Sequence, residues 1–505
     1  MKNDLVLGYM SPEACGISSR ELLKLIRQMD ASPNELHGFA AARHGYIFAE
    51  SYLQPYARDI PHTCHSFGKS YTCTAVGIAC TEGLLSPEDR IVDLFADEIR
   101  RFGTNPDDGM KSLRLRHLMS MSTGMEKMPQ MDEFWIENFL REPVCHTPGK
   151  VFLYNSTGSC LLGAAVEKVT GMSLRKYLQQ RLFDYIGIGP NDLVWRRFEN
   201  GICAEPGISA TTGANLRLGL FYLAGGCAGG RQIVSSQWMK DATSVQIVPG
   251  DGLRTHDGNN GYGWQLWMCK PQTIMRFDGG QGQLCLFDTE HDMAISVHQG
   301  GWHPAGVTEM TRIMKEFMLK VSDEPLPKDP DGCRELKAYL DSRELPRAEN
   351  RPLPAGADAF GGTYRVTEGT FNPWIEVAPE QDDFYHLFYD PSFCAAVNVF
   401  SIHLDNRGIV LLCNGRSEIR ASLDGTWIRH FAPTPLGELG DYAAAAYFAS
   451  KDELHISLKW LNGWCSPHIT LKCIGSADME IIVSKDMLHE GRAPVEQRCR
   501  AHAVR

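Results

Sequence analysis

From Ser70 to Cys80 the chain carries no charged residue: the run reads Ser70-Tyr71-Thr72-Cys73-Thr74-Ala75-Val76-Gly77-Ile78-Ala79-Cys80. A helix built from it has no charged face to offer water, so it is expected to be buried in the fold. Immediately before it stand Ser66-Phe67-Gly68-Lys69. A serine and a lysine three residues apart project from one face of a helix, about one turn apart. A serine hydroxyl is a poor nucleophile until a base takes its proton. A lysine in a partly dry cleft can be that base, because desolvation lowers its pKa. The dipole near a helix N-terminus also favours a developing oxyanion. The plainer alternative is an N-cap serine beside an ordinary surface lysine. Gly68-Lys69-Ser70 also matches the end of a phosphate-binding G-x-x-x-x-G-K-[ST] loop. There the first glycine falls on Thr63, and Arg58-Asp59-Ile60-Pro61-His62 is a poor buried strand. Nucleotide binding is therefore not the expectation.

Further motifs follow in order. The first runs from Ser112 to Gly124 and includes Arg116-His117-Leu118-Met119-Ser120. Next come His146-Thr147-Pro148-Gly149, Tyr154-Asn155-Ser156 and Val169-Thr170-Gly171. Gly261-Tyr262-Gly263-Trp264 then precedes Arg276-Phe277-Asp278-Gly279-Gly280-Gln281-Gly282-Gln283. In this order and spacing, over about residues 15 to 320, the chain resembles the class C β-lactamase-like serine hydrolases. This group is also called penicillin-binding-protein-like and includes family VIII esterases and D-aminopeptidases. The resemblance implies an acyl-enzyme on Ser66, with Lys69 and Tyr154 sharing its proton. A tyrosine beside an ammonium group has its phenolate favoured and can exchange protons near neutral pH. A core aromatic is the bland alternative for Tyr154.

The chain departs from the family at two places. Where the group carries Tyr-x-Asn, this chain has Ser156 in the last position and Asn155 in the middle. A serine is shorter and offers one hydroxyl, so substrate binding by Ser156 or Asn155 is weaker and β-lactam hydrolysis is disfavoured. The third motif, ordinarily Lys-Thr-Gly or His-x-Gly, falls in 276–283 without its lysine or histidine. Its glycines let a strand approach a ligand closely. With the N–H of Ser66, one from Gly282 or Gln283 is expected to form the oxyanion hole, and Arg276 to supply positive charge for a substrate carboxylate. A glycine-rich hairpin without a substrate role is the alternative.

These readings predict a hydrolase for a small ester, amide or peptide-like substrate, with no cofactor and no metal. A β-lactamase or an acyltransferase would use the same residues, and a non-catalytic ligand-binding member of the fold would not need all three. Cys64 between His62 and His65 invites a metal site, but no second pair at ligand spacing accompanies it. Trp264, Trp267, Trp302 and His303 lie in segments that can reach the cleft, with core packing the favoured reading for each tryptophan. His117, Ser120, Ser122 and Thr123 are expected to pack or cap.

A chain of 505 residues suits two domains. An α+β hydrolase domain is expected over 1–325, its antiparallel sheet closed by both termini around a helical insertion. A linker follows over 326–355, where prolines and charges repeat. An all-β antiparallel barrel is expected over 356–505, resembling a lipocalin from Phe360-Gly361-Gly362-Thr363-Tyr364 onward. Its strands are expected at 384–389, 395–404, 409–413, 454–460, 468–473 and 479–484, and the barrel is expected to pack beside or over the cleft. In the first domain helices are expected at 66–83, 157–170, 173–182, 211–224 and 307–321, with strands at 262–269, 283–288 and 293–298. Ser18-Ser19-Arg20-Glu21 reads as a capping box. A net charge of −11 argues against nucleic acid and anionic membrane as partners. No long apolar span or signal-peptide core is evident, and the 16 cysteines never form C-x-x-C. A cytoplasmic protein with reduced thiols is expected.

Overall fold

The computed structural model describes residues 7–197, 203–254, 259–300, 304–373, 396–405, 408–431, 440–463, 466–486 and 495–504. The chain divides into two compact units. One comprises Met1–Ser51, Thr63–Gln299 and Pro304–Ser342; the other comprises Tyr52–His62, Gly300–His303 and Arg343–Arg505. Among the described residues no helix is long and apolar enough to cross a membrane.

The first unit is built on a seven-stranded sheet. Its order is Gly8–Tyr9, Tyr46–Tyr52, Glu35–Arg43, Met293–Gly300, Gln283–Asp288, Ile274–Gly279 and Trp267–Met268. Strands from the two ends of the unit meet in its middle, and the helical insertion lies between them in sequence. The first hairpin turns at His44 and Gly45, both at positive φ (53° and 79°), as a two-residue hairpin turn requires. Strands Gln283–Asp288 and Met293–Gly300 are buried along their whole length, so both faces of the sheet are covered.

Alternation decides what covers each face. Leu284, Leu286, Ile295 and Val297 pack with helix Ser19–Asp30, through Leu22, Leu25, Ile26 and Met29, and with helix Pro304–Met318, through Met310 and Met314. Ser18 caps the first of these helices by accepting the Glu21 N–H. On the opposite face, Phe277 and Phe287 lie 4.9 and 5.7 Å from Tyr222 of helix Thr212–Leu223. Gly219 of that helix comes so close that a Cβ would stand 2.7 Å from Cys285 Sγ. The uncharged run forms helix Gly68–Thr81, buried nearly throughout, and helix Ser156–Thr170 is buried from Ser156 to Val166.

The run 262–269 differs from its expectation: only Trp267–Met268 is strand. Gln265 takes φ 57°, and the backbone N–H groups of Gly263, Trp264 and Gln265 go to Leu266, Ala242 and Met119, so the chain folds back instead of extending. Helix Pro330–Asp341 stands within the proline-rich stretch and belongs to the first unit. No disulfide joins two of the described cysteines.

The second unit holds a ten-stranded sheet whose neighbouring strands, among the described residues, pair antiparallel. Its order is Ser417–Ala421, Gly408–Cys413, Val399–Asp405, Gly362–Glu368, Val495–Ala503, Asp478–Asp486, Ser466–Ile474, Glu453–Trp460, Asp441–Ser450 and Ile428–Phe431. The first of these strands in sequence pairs with the last. A bridge from Ser422 to Ala445 brings the far edges together, so the sheet is a nearly closed barrel. Glu453–Trp460 alternates half-buried and buried residues without a break, as its sequence pattern requires. Phe400, Phe448, Trp460, Ile469, Leu471 and Ile481 are among the side chains that fill the interior. The strand expected at 384–389 lies outside the described residues.

Candidate active site

A three-residue helical turn, His65–Phe67, leads into helix Gly68–Thr81. His65 sits at φ 48°, a conformation unfavourable for a residue with a Cβ, immediately before Ser66. Ser66 is half-buried, whereas Lys69 is 2% exposed. Lys69 Nζ donates to Ser66 Oγ at 2.9 Å, a distance across which a proton can pass in either direction. The same Nζ stands 5.1 Å from the ring centroid of half-buried Tyr154, and Tyr154 stacks on Trp267 at 6.0 Å and 10°. The Ser66 hydroxyl, the Lys69 amine and the Tyr154 ring thus stand together.

Two neighbours hold Tyr154 there. Leu153 N–H bonds to Met121 O at 2.8 Å, and Asn155 caps helix Ser156–Thr170 by accepting the Gly158 N–H at 2.8 Å. Asn155 is 1% exposed, and its other amide atom lies 3.5 Å from Met125 Sδ. Its side chain is used in starting the helix rather than presented to a substrate. Ser156, also buried, occupies the first turn of that helix.

Sequence reasoning missed Gln265. Ser70 Oγ bonds to its carbonyl at 2.8 Å, its Nε2 to Leu118 O at 2.9 Å, and Ser159 Oγ to its Oε1 at 3.1 Å. This one buried residue therefore ties three helices: its backbone carbonyl holds the Lys69 helix, and its side-chain amide holds the Leu115–Met119 helix and the helix that follows Tyr154. The one trace in the sequence is a lone amide in the apolar run 262–269.

The third motif forms a hairpin in which Gly279 pairs with Gln283. Phe277 lies 5.4 Å from Phe67, and a Cβ on Gly279 would come within 1.9 Å of Cys64 O, so this strand end is pressed against the turn bearing Ser66. Gly282 and Gln283 are tied to Gln299: Gln299 Nε2 bonds to Gly282 O at 2.8 Å, and Gln283 Nε2 to Gln299 O at 2.7 Å. Arg276 does not take the place expected of it. Phe277 faces Phe67, so strand alternation sends Arg276 to the other face of the sheet. There it is 1% exposed and bonds to Asp278 (2.6 Å), Asn259 (3.0 Å) and Thr311 (3.4 Å).

Cys64 is buried beside Asn215, and burial pushes its thiol up to about 12, which removes it as a nucleophile. Among the described residues no group of three or more His, Cys, Asp or Glu is arranged to hold a metal. Trp302 and His303 lie outside the described residues.

Burial, with the positive charge of Lys69 as a second cause, lowers His65 to about 4. Burial, then Arg116 and Arg114, brings His117 to about 4. Burial, then His37, takes His298 to about 3. Each imidazole is neutral in the fold at pH 7. Below the ordinary value of 6.5 the unfolded chain binds protons that the folded chain refuses until about 4. Stability is therefore full at neutral pH and lost as pH falls, by on the order of 2 kcal/mol per histidine at pH 5. Urea unfolding is expected to show a lower midpoint at pH 5 than at pH 7.5, and equal midpoints would contradict this burial.

A family model described as Beta-lactamase matches residues 34–317. A protein of Escherichia coli (strain K12), provisionally named a D-alanyl-D-alanine carboxypeptidase, is 30% identical over 124 residues, or 21% of this chain and 28% of that protein. The match thus spans less than a third of the relative's length. A structure from Bacillus anthracis, provisionally named a 6-aminohexanoate-dimer hydrolase, is similar at 18% identity and TM-score 0.48, covering 63% of this chain and 87% of that one. The octameric penicillin-binding protein homologue from Pyrococcus abyssi is similar at 14% identity and TM-score 0.45, over 95% and 99% of the two chains.

Proposed function

The chain belongs to the β-lactamase family, and on that premise we propose that it is a serine hydrolase acting on small esters, amides or peptide-like substrates. The observation that carries this reading is the 2.9 Å contact between Lys69 Nζ and Ser66 Oγ beside the Tyr154 ring. Lys69, with its proton drawn off toward Tyr154, accepts the proton of Ser66 as Oγ bonds to the carbonyl carbon. The carbonyl π electrons move to oxygen, where backbone N–H groups at the helix start and the glycine hairpin offset the charge. Collapse breaks the bond to the leaving group, which takes a proton through Tyr154 and leaves an acyl ester on Ser66. Water then gives its proton to the same pair, attacks the ester and frees the acid and Ser66. The carboxypeptidase name of the Escherichia coli relative favours including peptide-like amides in the substrate class.

An acyl-enzyme has a kinetic signature. Rapid mixing with p-nitrophenyl acetate is expected to release a burst of nitrophenol, close to one equivalent per enzyme, before a slower steady rate. Absence of any turnover across ester, amide and D-peptide panels would overturn the proposal.

A further inference from the structure

We propose that the outer face of the barrel sheet carries a binding site for a Cu(II) or Ni(II) ion, held by His455 and His468. The proposal goes beyond the hydrolase reading above and does not depend on it. The two histidines lie on neighbouring strands, Glu453–Trp460 and Ser466–Ile474, where Ser457 pairs with His468 and His455 with Thr470. Leu454, Ile456 and Leu458 belong to the barrel core, so alternation turns Glu453, His455 and Ser457 outward, each half-buried. Ile469 and Leu471 likewise point inward, and His468 stands half-buried on the same outer face as His455.

Each ring turns one nitrogen toward the other and has its second nitrogen engaged. His455 Nδ1 and His468 Nε2 stand 2.9 Å apart. His455 Nε2 bonds to Glu453 Oε1 at 2.8 Å, and Ser457 Oγ lies 3.1 Å from His468 Nδ1. A carboxylate only accepts, so the His455 hydrogen sits on Nε2 and its Nδ1 presents a lone pair toward His468. A carboxylate on the far nitrogen also orients an imidazole and raises its basicity as a metal ligand. Tyr447 fixes the same ring from its face, stacked on it at 4.8 Å and 2°. Thr470 Oγ1, 3.3 Å from His455 Nδ1, adds an oxygen beside the two nitrogens. The surrounding charges balance: Glu453 lies 3.5 Å from Lys472, and Glu349 2.6 Å from Arg351, whose guanidinium stands over the Tyr447 ring.

The nitrogen separation selects the metal. Two bonds of about 2.0 Å meeting at about 90° hold their nitrogens about 2.8 Å apart, whereas a tetrahedral angle needs about 3.3 Å. Square-planar or octahedral ions therefore fit without spreading the strands, and solvent completes their coordination. On binding, the His468 hydrogen passes from Nε2 to Nδ1, where Ser457 Oγ accepts it. Both inner nitrogens are then free to ligate, and no net proton is released. Burial, then the charge of His455, lowers the His468 pKa, which keeps its ring neutral at pH 7.5.

The test titrates the full, untagged chain with CuCl2 at pH 7.5, read by electron paramagnetic resonance and by competition with a weak chelator. The first equivalent is expected to bind with hyperfine structure from two imidazole nitrogens. His455→Phe and His468→Phe each remove one ligand and are expected to weaken that equivalent at least about tenfold. Glu453→Gln keeps both ligands and is expected to weaken it by roughly tenfold. In the wild type, binding is expected to be lost as pH falls from 7.5 to 5, because a protonated imidazole cannot ligate; this arm needs no variant. Unchanged affinity in folded His455→Phe or His468→Phe protein would place the first equivalent elsewhere. A wild type that binds no copper would mean that the two rings share a proton only. Either result, or binding that persists undiminished at pH 5, would overturn the proposal and leave the hydrolase reading standing.

Discussion

Ser66→Ala is expected to lower ester turnover by at least about 10⁴-fold, with a melting temperature within a few degrees of the wild type. Ser66 is half-buried and its replacement removes one oxygen, so the fold loses little. Lys69→Met is expected to cost nearly as much activity. It keeps the length of a side chain that is 2% exposed while removing the amine bonded to Ser66 Oγ. Two groups that act as one unit are not additive, so the double variant is expected to be no slower than the worse single one. Steady-state kinetics on the two singles and the double read this directly. Independent, multiplying losses would mean that Lys69 and Ser66 do not share a step.

Gly279→Ala is the second large effect, and its cause is steric. The added methyl would stand 1.9 Å from Cys64 O and 3.1 Å from Gln283 Cβ, and neither the carbonyl nor the paired strand can yield as a flexible side chain would. The glycine hairpin and the Ser66 turn must move apart. A displacement near 1 Å in a positioned site costs on the order of 10²-fold in rate. Strain of this kind typically costs about 1–3 kcal/mol in stability, so activity is expected to fall much further than the melting temperature. Gly213→Ala serves as the control: it lies in helix Thr212–Leu223, with nothing within 4 Å of its added Cβ. That variant is expected to be neutral or slightly stabilising in both measurements. Near-normal kcat/KM in Gly279→Ala would contradict the packing of the hairpin on the nucleophile turn.

Much of the fold was legible because burial writes itself into periodicity. The uncharged stretch 70–80 has to be an enclosed helix, and the alternation of 453–460 has to be a half-buried strand; both are what the chain forms. The Ser66–Lys69 contact was legible for the same reason, since helical spacing alone brings the two side chains together. What was not legible depends on which face of a strand meets which helix. Arg276 read as a cation for the substrate, and it is turned to the opposite face from Ser66 because Phe277 takes the inner one. Asn155 read as a substrate contact, and the start of the following helix claims its amide. The run 262–269 has the composition of a strand, but Gln265 adopts positive φ and its carbonyl and side-chain amide together serve three helices, a choice made by partners more than a hundred residues away in sequence.

The central claim is that Ser66 is the residue that becomes acylated, and a covalent label locates it. Incubation with a fluorophosphonate, proteolysis and mass spectrometry should place a single adduct on the peptide containing Ser66. Labelling should be lost in Ser66→Ala and strongly slowed in Lys69→Met. An adduct on any other residue, or undiminished labelling of the Ser66→Ala protein, would contradict the account.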